Sequence, residues 1–218
     1  MIKAVLFDLD GTIINSEEGI TKCVQYALSS FGIEEPDRKK LLCFIGPPLD
    51  PVFREKYGFD ADKAWQAVLK YRERFDKTGI FECELYEGVA DTIRKLKEAG
   101  CVIALASSKP ETACRRILEH FSLTPYFDEI VGSTLDGSIS TKQQVLEELG
   151  RRMEHMQITK DEMCLIGDTE YDVIGANQFG IRCVGVSYGF GKREQLERAG
   201  AYCVCDNMAE VVEALQQM

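Results

Sequence analysis

The feature that leaves the fewest folds open is an alternation, from about Leu85 onward, of short apolar runs with amphipathic stretches. Apolar spacing predicts helices over Val89–Ala99, from Pro110, over Lys142–Met153 and over Tyr171–Phe179, with Gly100 and Gly180 as stops. Short strands are predicted over Val102–Ala106, Glu129–Val131, Met163–Ile166 and Cys183–Val186, and a last helix, strand ("YCVCD") and helix finish the chain. Strands that read as unbroken apolar runs are buried on both faces. The pattern therefore predicts a parallel sheet with helices on either side.

One strand of this kind stands apart, at Ile2–Leu9. After it, between about Glu17 and Phe75, apolar residues recur only at helical spacing: Ile20, Val24, Ala27, Leu28 and Phe31, then Leu41, Leu42 and Ile45, then Ala64, Val68, Tyr71 and Phe75. Asp60 is an expected N-cap and Gly79 an expected stop, and prolines 36, 47, 48 and 51 punctuate the middle. A helical block interrupting a β-α alternation just after its first strand has the form of an insertion. The expected organisation is a doubly wound, Rossmann-like parallel-sheet core from residues 1–15 and 86–218, carrying an all-helical cap domain over 16–85. Its linkers leave beside the carboxyl end of the first strand, the edge where open α/β sheets bind ligands.

Composition narrows the partners. The net charge is −10, which disfavours a grip on a nucleic-acid polymer or an anionic membrane surface, since both need a basic field. No run of 18 apolar residues predicts a membrane span, and Asp8 and Asp10 interrupt what would otherwise resemble a signal-peptide core. The expectation is a cytoplasmic protein, a monomer or weak homodimer. Nine cysteines lie mostly in apolar stretches without a C-x-x-C pair, and are expected to be reduced structural thiols. With only two histidines, both in helical patterns, zinc or triad chemistry built on histidine is disfavoured.

The chemistry-bearing residues sit at strand ends. In "AVLFDLDGT" an apolar strand runs into Asp8 and Asp10, which at i and i+2 share one side of a strand. Asp-Gly between apolar residues is also a hairpin signal, so on this stretch alone a turn and a site both stand. In "CLIGDTEYD" a second strand runs into Asp168, with Asp172 one helical turn further; helix capping accounts for one of these carboxylates but not for two such pairs. Carboxylates gathered at one edge repel by roughly 4 kcal/mol per close pair at an effective dielectric near 20, so a cation is required there. Mg²⁺, which favours carboxylate and phosphate oxygens, is one candidate, and Lys142, opening a helix, is another. A third feature, "ASSKPE", offers Ser107, Ser108 and Lys109 before Pro110 at an expected helix N1 position, either as an anion site or with Ser108 as a simple N-cap. Neither a G-x-x-x-x-G-K-S/T loop nor G-x-G-x-x-G is present, which leaves a nucleoside-triphosphate or dinucleotide fold unsupported.

In this order, "DLDGT", "ASSK", Lys142 and "GDTEYD" resemble the four motifs of the haloacid dehalogenase-like phosphatases, across essentially the whole chain. The helical block resembles the cap of the subgroup that holds phosphoglycolate phosphatases, 5′-nucleotidases and β-phosphoglucomutases. The resemblance implies that Asp8 attacks phosphorus and becomes an aspartyl phosphate, while Asp10 protonates the leaving oxygen and then deprotonates water. It implies that backbone N–H groups around Leu9 to Gly11, with Ser107 and Ser108, hold the phosphoryl oxygens, that Lys142 balances charge, and that Thr12 braces the Asp10 loop. Mg²⁺ would take Asp8, Asp10 through its backbone carbonyl, and Asp168, with Asp172 acting through water or on Lys142. Gly46, in the stiff loop "FIGPPL", and Lys109 would face the leaving group, with Arg72 a further candidate.

Ser107-Ser108 stands where this subgroup often has Thr-Asn, and Gln143 where a proline often follows the motif lysine, so substrate contacts are expected to differ. The expected activity is Mg²⁺-dependent hydrolysis of a small phosphorylated metabolite, phosphoglycolate or a nucleoside 5′-monophosphate first. The alternatives are a phosphomutase on the same scaffold and a non-catalytic phosphoacceptor module.

Overall fold

The computed structural model describes residues 1–218. Its sheet grows from β1 (Ala4–Phe7), whose four residues are at most 1% exposed, as a strand covered on both faces must be. The other strands are β2 (Val102–Pro110), β3 (Glu129–Ser133), β4 (Met163–Gly167), β5 (Arg182–Val186) and β6 (Cys203–Cys205). They are all parallel, in the order β3-β2-β1-β4-β5-β6. The chain works outward from β1 through β2 and β3, then returns to the other side of β1 at β4. That reversal is the topological switch point of a doubly wound sheet, and ligands bind beyond the carboxyl ends of the strands there.

The register aligns the strand ends. Phe7 lies opposite Leu105 on β2 and Ile166 on β4, and the Asp8 N–H continues the ladder to the Ile166 carbonyl at 2.9 Å. Asp8, the Ala106–Ser107 step and Asp168 therefore reach the same edge. One core cluster joins the sheet to its helices: Leu6, Val131 and Leu165 pack with Val145, Leu146 and Leu149 of α6 (Lys142–Met153) and with Val173 and Ala176 of α7 (Glu170–Phe179). Each large side chain buried there contributes roughly 1.5–3 kcal/mol.

The contacts divide the chain into two compact units, residues 1–15 with 85–218 and residues 16–84. In the smaller, α1 (Glu17–Ser29) and α3 (Ala61–Phe75) bury Val24, Ala27 and Leu28 and Ala64, Val68 and Tyr71, the faces their spacing predicts. Asp60 caps α3, accepting from the Lys63 N–H at 2.8 Å. The helix stops at Phe75, short of Gly79, which instead opens a 3-10 turn. Residues 38–44 form a 3-10 helix, and α2 (Leu49–Tyr57) carries Pro51 in its first turn, where a missing N–H costs nothing. Phe44 and Phe53 pack with ring centroids 4.7 Å apart, and this aromatic contact, invisible to a helical-period search, fills the middle of the unit.

In the larger unit α4 (Val89–Glu98), α5 (Glu111–His120), α6 (Lys142–Met153), α7 (Glu170–Phe179), α8 (Arg193–Ala199) and α9 (Met208–Gln216) connect the strands. Around Ser108 the structure departs from the pattern expected of the sequence. Rather than stopping at Ala106, β2 continues to Pro110, which pairs with Ser133 after a register shift, so α5 starts at Glu111 and Ser108 caps no helix. Gly132 permits this: a Cβ there would sit 2.5 Å from the Lys109 carbonyl oxygen. All nine cysteines are free thiols, and no helix is long and apolar enough to cross a membrane.

Candidate active site

At the end of β1 the chain turns back on itself. The Leu9 carbonyl accepts from the N–H groups of Ile13 and Ile14 at 2.9 and 3.0 Å, while the Gly11 N–H donates to the Ile14 carbonyl at 2.8 Å. Gly11 has φ +83°, and a Cβ there would lie 2.0 Å from an Asp168 carboxylate oxygen, so only glycine closes this ring. Its N–H is thereby spent, which removes Gly11 from the expected phosphate donors. No hydrogen bond claims the N–H of Leu9 or Asp10.

The ring leaves Asp8 buried at the strand end, where Lys142 meets it. Thr141 and Gln144 form a reciprocal capping box that fixes the start of α6. From there the Lys142 stem crosses α7 at Gly175, where a Cβ would approach Lys142 Cγ to 2.6 Å. Lys142 Nζ lies 2.6 Å from Asp8 Oδ1, 2.7 Å from Asp172 Oδ1 and 2.7 Å from the Ala106 carbonyl oxygen. Three acceptors match its three protons. Burial works against the ammonium charge, but Asp172 and Asp8 more than offset it and hold Lys142 above the ordinary lysine range.

Just after β4, Thr169 rather than Asp168 is the N-cap of α7. Asp172 accepts from the Thr169 N–H and hydroxyl at 3.0 and 2.8 Å, so it serves the helix end and Lys142 together. Asp168, fully buried, accepts from the Phe190 N–H at 2.7 Å through Oδ2, while Oδ1 has no partner. Burial, then the negative charges of Asp172 and Asp8, push Asp168 well above the usual carboxylate range. Burial likewise pushes Asp8 up to about 6, with Lys142 opposing and Asp172 adding to the shift.

One oxygen each from Asp8, Asp168 and Asp172 lies within 4.8 Å of the others. Three carboxylates against one ammonium leave two negative charges uncompensated, and the unpartnered Asp168 Oδ1 is among their carriers. This hard, all-oxygen donor set fits a divalent cation such as Mg²⁺. The Asp10 side chain is outside the group, as it is where only its backbone carbonyl is expected to face a metal. It pairs with Lys109 Nζ at 2.8 and 3.2 Å, and both side chains are mostly shielded from solvent.

That pair also relocates Lys109 from its expected place on the far end of a substrate to the Asp10 carboxylate. Ser107 is buried beside it, its hydroxyl accepting from the Lys109 N–H at 3.3 Å. Thr12 is fully buried, but its hydroxyl has no partner; its carbonyl is the braced atom, accepting from the Tyr188 hydroxyl at 2.9 Å. Gly46 (φ +99°) lies in the helical unit, in the turn between the 3-10 helix and α2, and Arg72 rests over the Trp65 ring at 5.5 Å. The loop Tyr188–Gly191, outside the four motifs, also reaches the site, at Thr12 and Asp168. Its sequence signal was the glycine-rich "SYGFGK" directly after β5.

A family model described as haloacid dehalogenase-like hydrolase matches residues 5–186. A 5′-nucleotidase of Pseudomonas aeruginosa is 39% identical over 212 residues, which cover 97% of this chain and 95% of that protein. The tyrosine-protein kinase PtkA of Mycobacterium tuberculosis is 31% identical over 200 residues, 92% of this chain and 67% of the relative. Among solved structures, a predicted phosphatase from Clostridium acetobutylicum superposes with a TM-score of 0.92 at 43% identity, with both chains fully covered. With the doubly wound sheet and the acidic strand ends, these likenesses make the chain a member of the haloacid dehalogenase-like hydrolase family, and an enzyme of its phosphatase type.

Proposed function

We propose that this enzyme hydrolyses a small phosphomonoester in two displacements through Asp8, and that its substrate class is the nucleoside 5′-monophosphates. The observation that carries the mechanism is the Asp8 carboxylate, buried, held at one oxygen by Lys142 and facing Asp168 and Asp172. The 5′-nucleotidase relative supports the substrate class over phosphoglycolate.

In this reading Asp8 attacks phosphorus in line, and the ester P–O bond breaks as the P–O bond to Asp8 forms. Asp10, protonated at that moment, gives its proton to the departing alkoxide. The resulting Asp10 carboxylate then takes a proton from water as the water oxygen attacks the aspartyl phosphate, releasing inorganic phosphate and restoring Asp8. A covalent step divides one difficult displacement between two easier ones. The unclaimed N–H groups of Leu9 and Asp10, with Ser107 and Lys142, are suited to the phosphoryl oxygens, because this chemistry asks mainly for positioning and charge neutralisation. Asp8 and Asp168 would hold Mg²⁺, with Asp172 beside them; when bound, the ion neutralises charge between carboxylates and phosphoryl group. The helical unit, residues 16–84, is assigned the role of a cap that selects the leaving group.

A kinase-named relative favours a second reading, transfer of the same phosphoryl group to an acceptor hydroxyl. A panel of phosphomonoesters assayed with Mg²⁺, with EDTA, and with Asp8→Asn tests the proposal. Mg²⁺-dependent release of free phosphate, strongest on nucleoside 5′-monophosphates and abolished in D8N, is expected. Equal activity of D8N and the parent would refute the nucleophile, and phosphorylated acceptor in place of free phosphate would establish transfer.

A further inference from the structure

One hydrogen bond from the glycine-rich loop after β5 falls on the segment that carries Asp10. Residues 9–14 curl into a ring closed by their own backbone bonds, and two of its carbonyls accept from outside it: Ile13 from the Tyr86 N–H at 3.1 Å, and Thr12 from the Tyr188 hydroxyl at 2.9 Å. The two donors support each other, since the rings of Tyr86 and Tyr188 pack with centroids 4.7 Å apart and planes inclined at 49°. The Thr12 hydroxyl, buried without a partner, contributes no anchor of its own. Two residues beyond Tyr188 the same loop donates the Phe190 N–H to Asp168. The loop is seated tightly: a Cβ at Gly189 would lie 2.4 Å from the Gly11 carbonyl oxygen, and one at Gly191 would lie 2.0 Å from that of Asp168.

We propose that Tyr188 is a positioning residue for Asp10, its hydroxyl fixing the ring at Thr12 so that the Asp10 carboxyl is aimed at the leaving oxygen. Lys109 holds the carboxylate from one side, and Tyr188 holds the backbone that bears it from the other. The inference rests on the assignment of Asp10 as proton donor above.

A proton donor matters in proportion to the basicity of the leaving group. An alkoxide must be protonated as it departs, whereas p-nitrophenolate leaves unaided. Moreover, kcat/KM for an enzyme with a covalent intermediate reports only the steps through its formation, so the later work of Asp10 on water does not blur the comparison. The test is kcat/KM of Tyr188→Phe, Asp10→Ala and the parent on a nucleoside 5′-monophosphate and on p-nitrophenyl phosphate, with thermal midpoints alongside. Tyr188→Phe keeps the ring packed on Tyr86 and removes only the donor. The expected loss for Y188F is about tenfold or more on the nucleotide and about twofold or less on p-nitrophenyl phosphate. D10A should show the same selectivity at larger size, and the Y188F midpoint should stay within a few degrees of the parent. A selective D10A beside a Y188F that loses both substrates alike, or neither, would overturn the role of Tyr188 and leave the Asp10 assignment standing. A D10A without selectivity would instead remove the assignment beneath it.

Discussion

Two aspartates stand two residues apart just after β1, each paired with a lysine, and the pairs are built differently. Lys142 is shared: its ammonium answers Asp8, Asp172 and a backbone carbonyl, and a third carboxylate beside them is left unanswered. Lys109 meets both carboxylate oxygens of Asp10. The first cluster carries surplus negative charge fixed by two helix starts, while the second joins a carboxylate on the turn after β1 to a lysine near the end of β2. A surplus held rigid suits a group that must receive a cation and a phosphoryl group. A carboxylate carried on a turn suits a group that must move between two proton-transfer partners.

Breaking the shared lysine should have the largest effect. Lys142→Met leaves Asp8 and Asp172 buried without their common partner, and loss of one member of a buried pair costs about 3–5 kcal/mol. The midpoint of urea unfolding in metal-free buffer reads this directly. A K142M protein as stable as the parent would mean that the cluster is already neutral through proton uptake.

Proton uptake gives the next prediction. Asp8 titrates near 6 when folded, against an ordinary value near 3.9 when unfolded, and Asp168 is shifted the same way. Between those values the folded chain binds protons that the unfolded chain does not. Stability of the metal-free protein therefore falls as pH rises from about 4 to about 6. Excess Mg²⁺ should restore it above that window and do little at pH 4.5. Thermal midpoints with Mg²⁺ and with EDTA across pH 4.5–7.5 check both halves, and a midpoint unmoved by Mg²⁺ at pH 7.5 would contradict the donor-set argument.

Lys109→Met should cost less stability, about 1–2 kcal/mol, because the Asp10 it abandons keeps some access to water. Its larger effect should be on turnover of alkyl phosphates, so the K109M and K142M variants separate activity from stability in opposite proportions. The smallest effect is expected of Thr141→Ala, which removes the N-cap beneath Lys142 at about 1 kcal/mol. A T141A activity loss far beyond what that destabilisation explains would show that the cap aims the lysine as well as starting the helix.

Local pattern made much of this legible. The boundaries of α6 match the apolar spacing at both ends, and the acidic strand ends with Lys142 could be singled out because strands, caps and charges leave marks within a few residues. Three features had no such mark. Lys109 meets Asp10 across 99 residues and Tyr188 meets Thr12 across 176, and neither separation has a period. The extension of β2 to Pro110 depends on a neighbouring strand, with Gly132 allowing the backbones to close. In two of them a long-range contact places a residue otherwise than its local sequence suggested: Lys109 beside Asp10, and Ser108 within a strand and not at a helix cap.

Gly175 carries a consequence for how such an enzyme can vary. Because the lysine stem passes within a methyl group's breadth of α7, the clearance between two helices sets how far an ammonium reaches into the site. A single added carbon on the outer layer of the fold would thus be felt as an electrical change at the nucleophile. Helix spacing here is a tuning parameter for reactivity, adjustable without touching any charged residue.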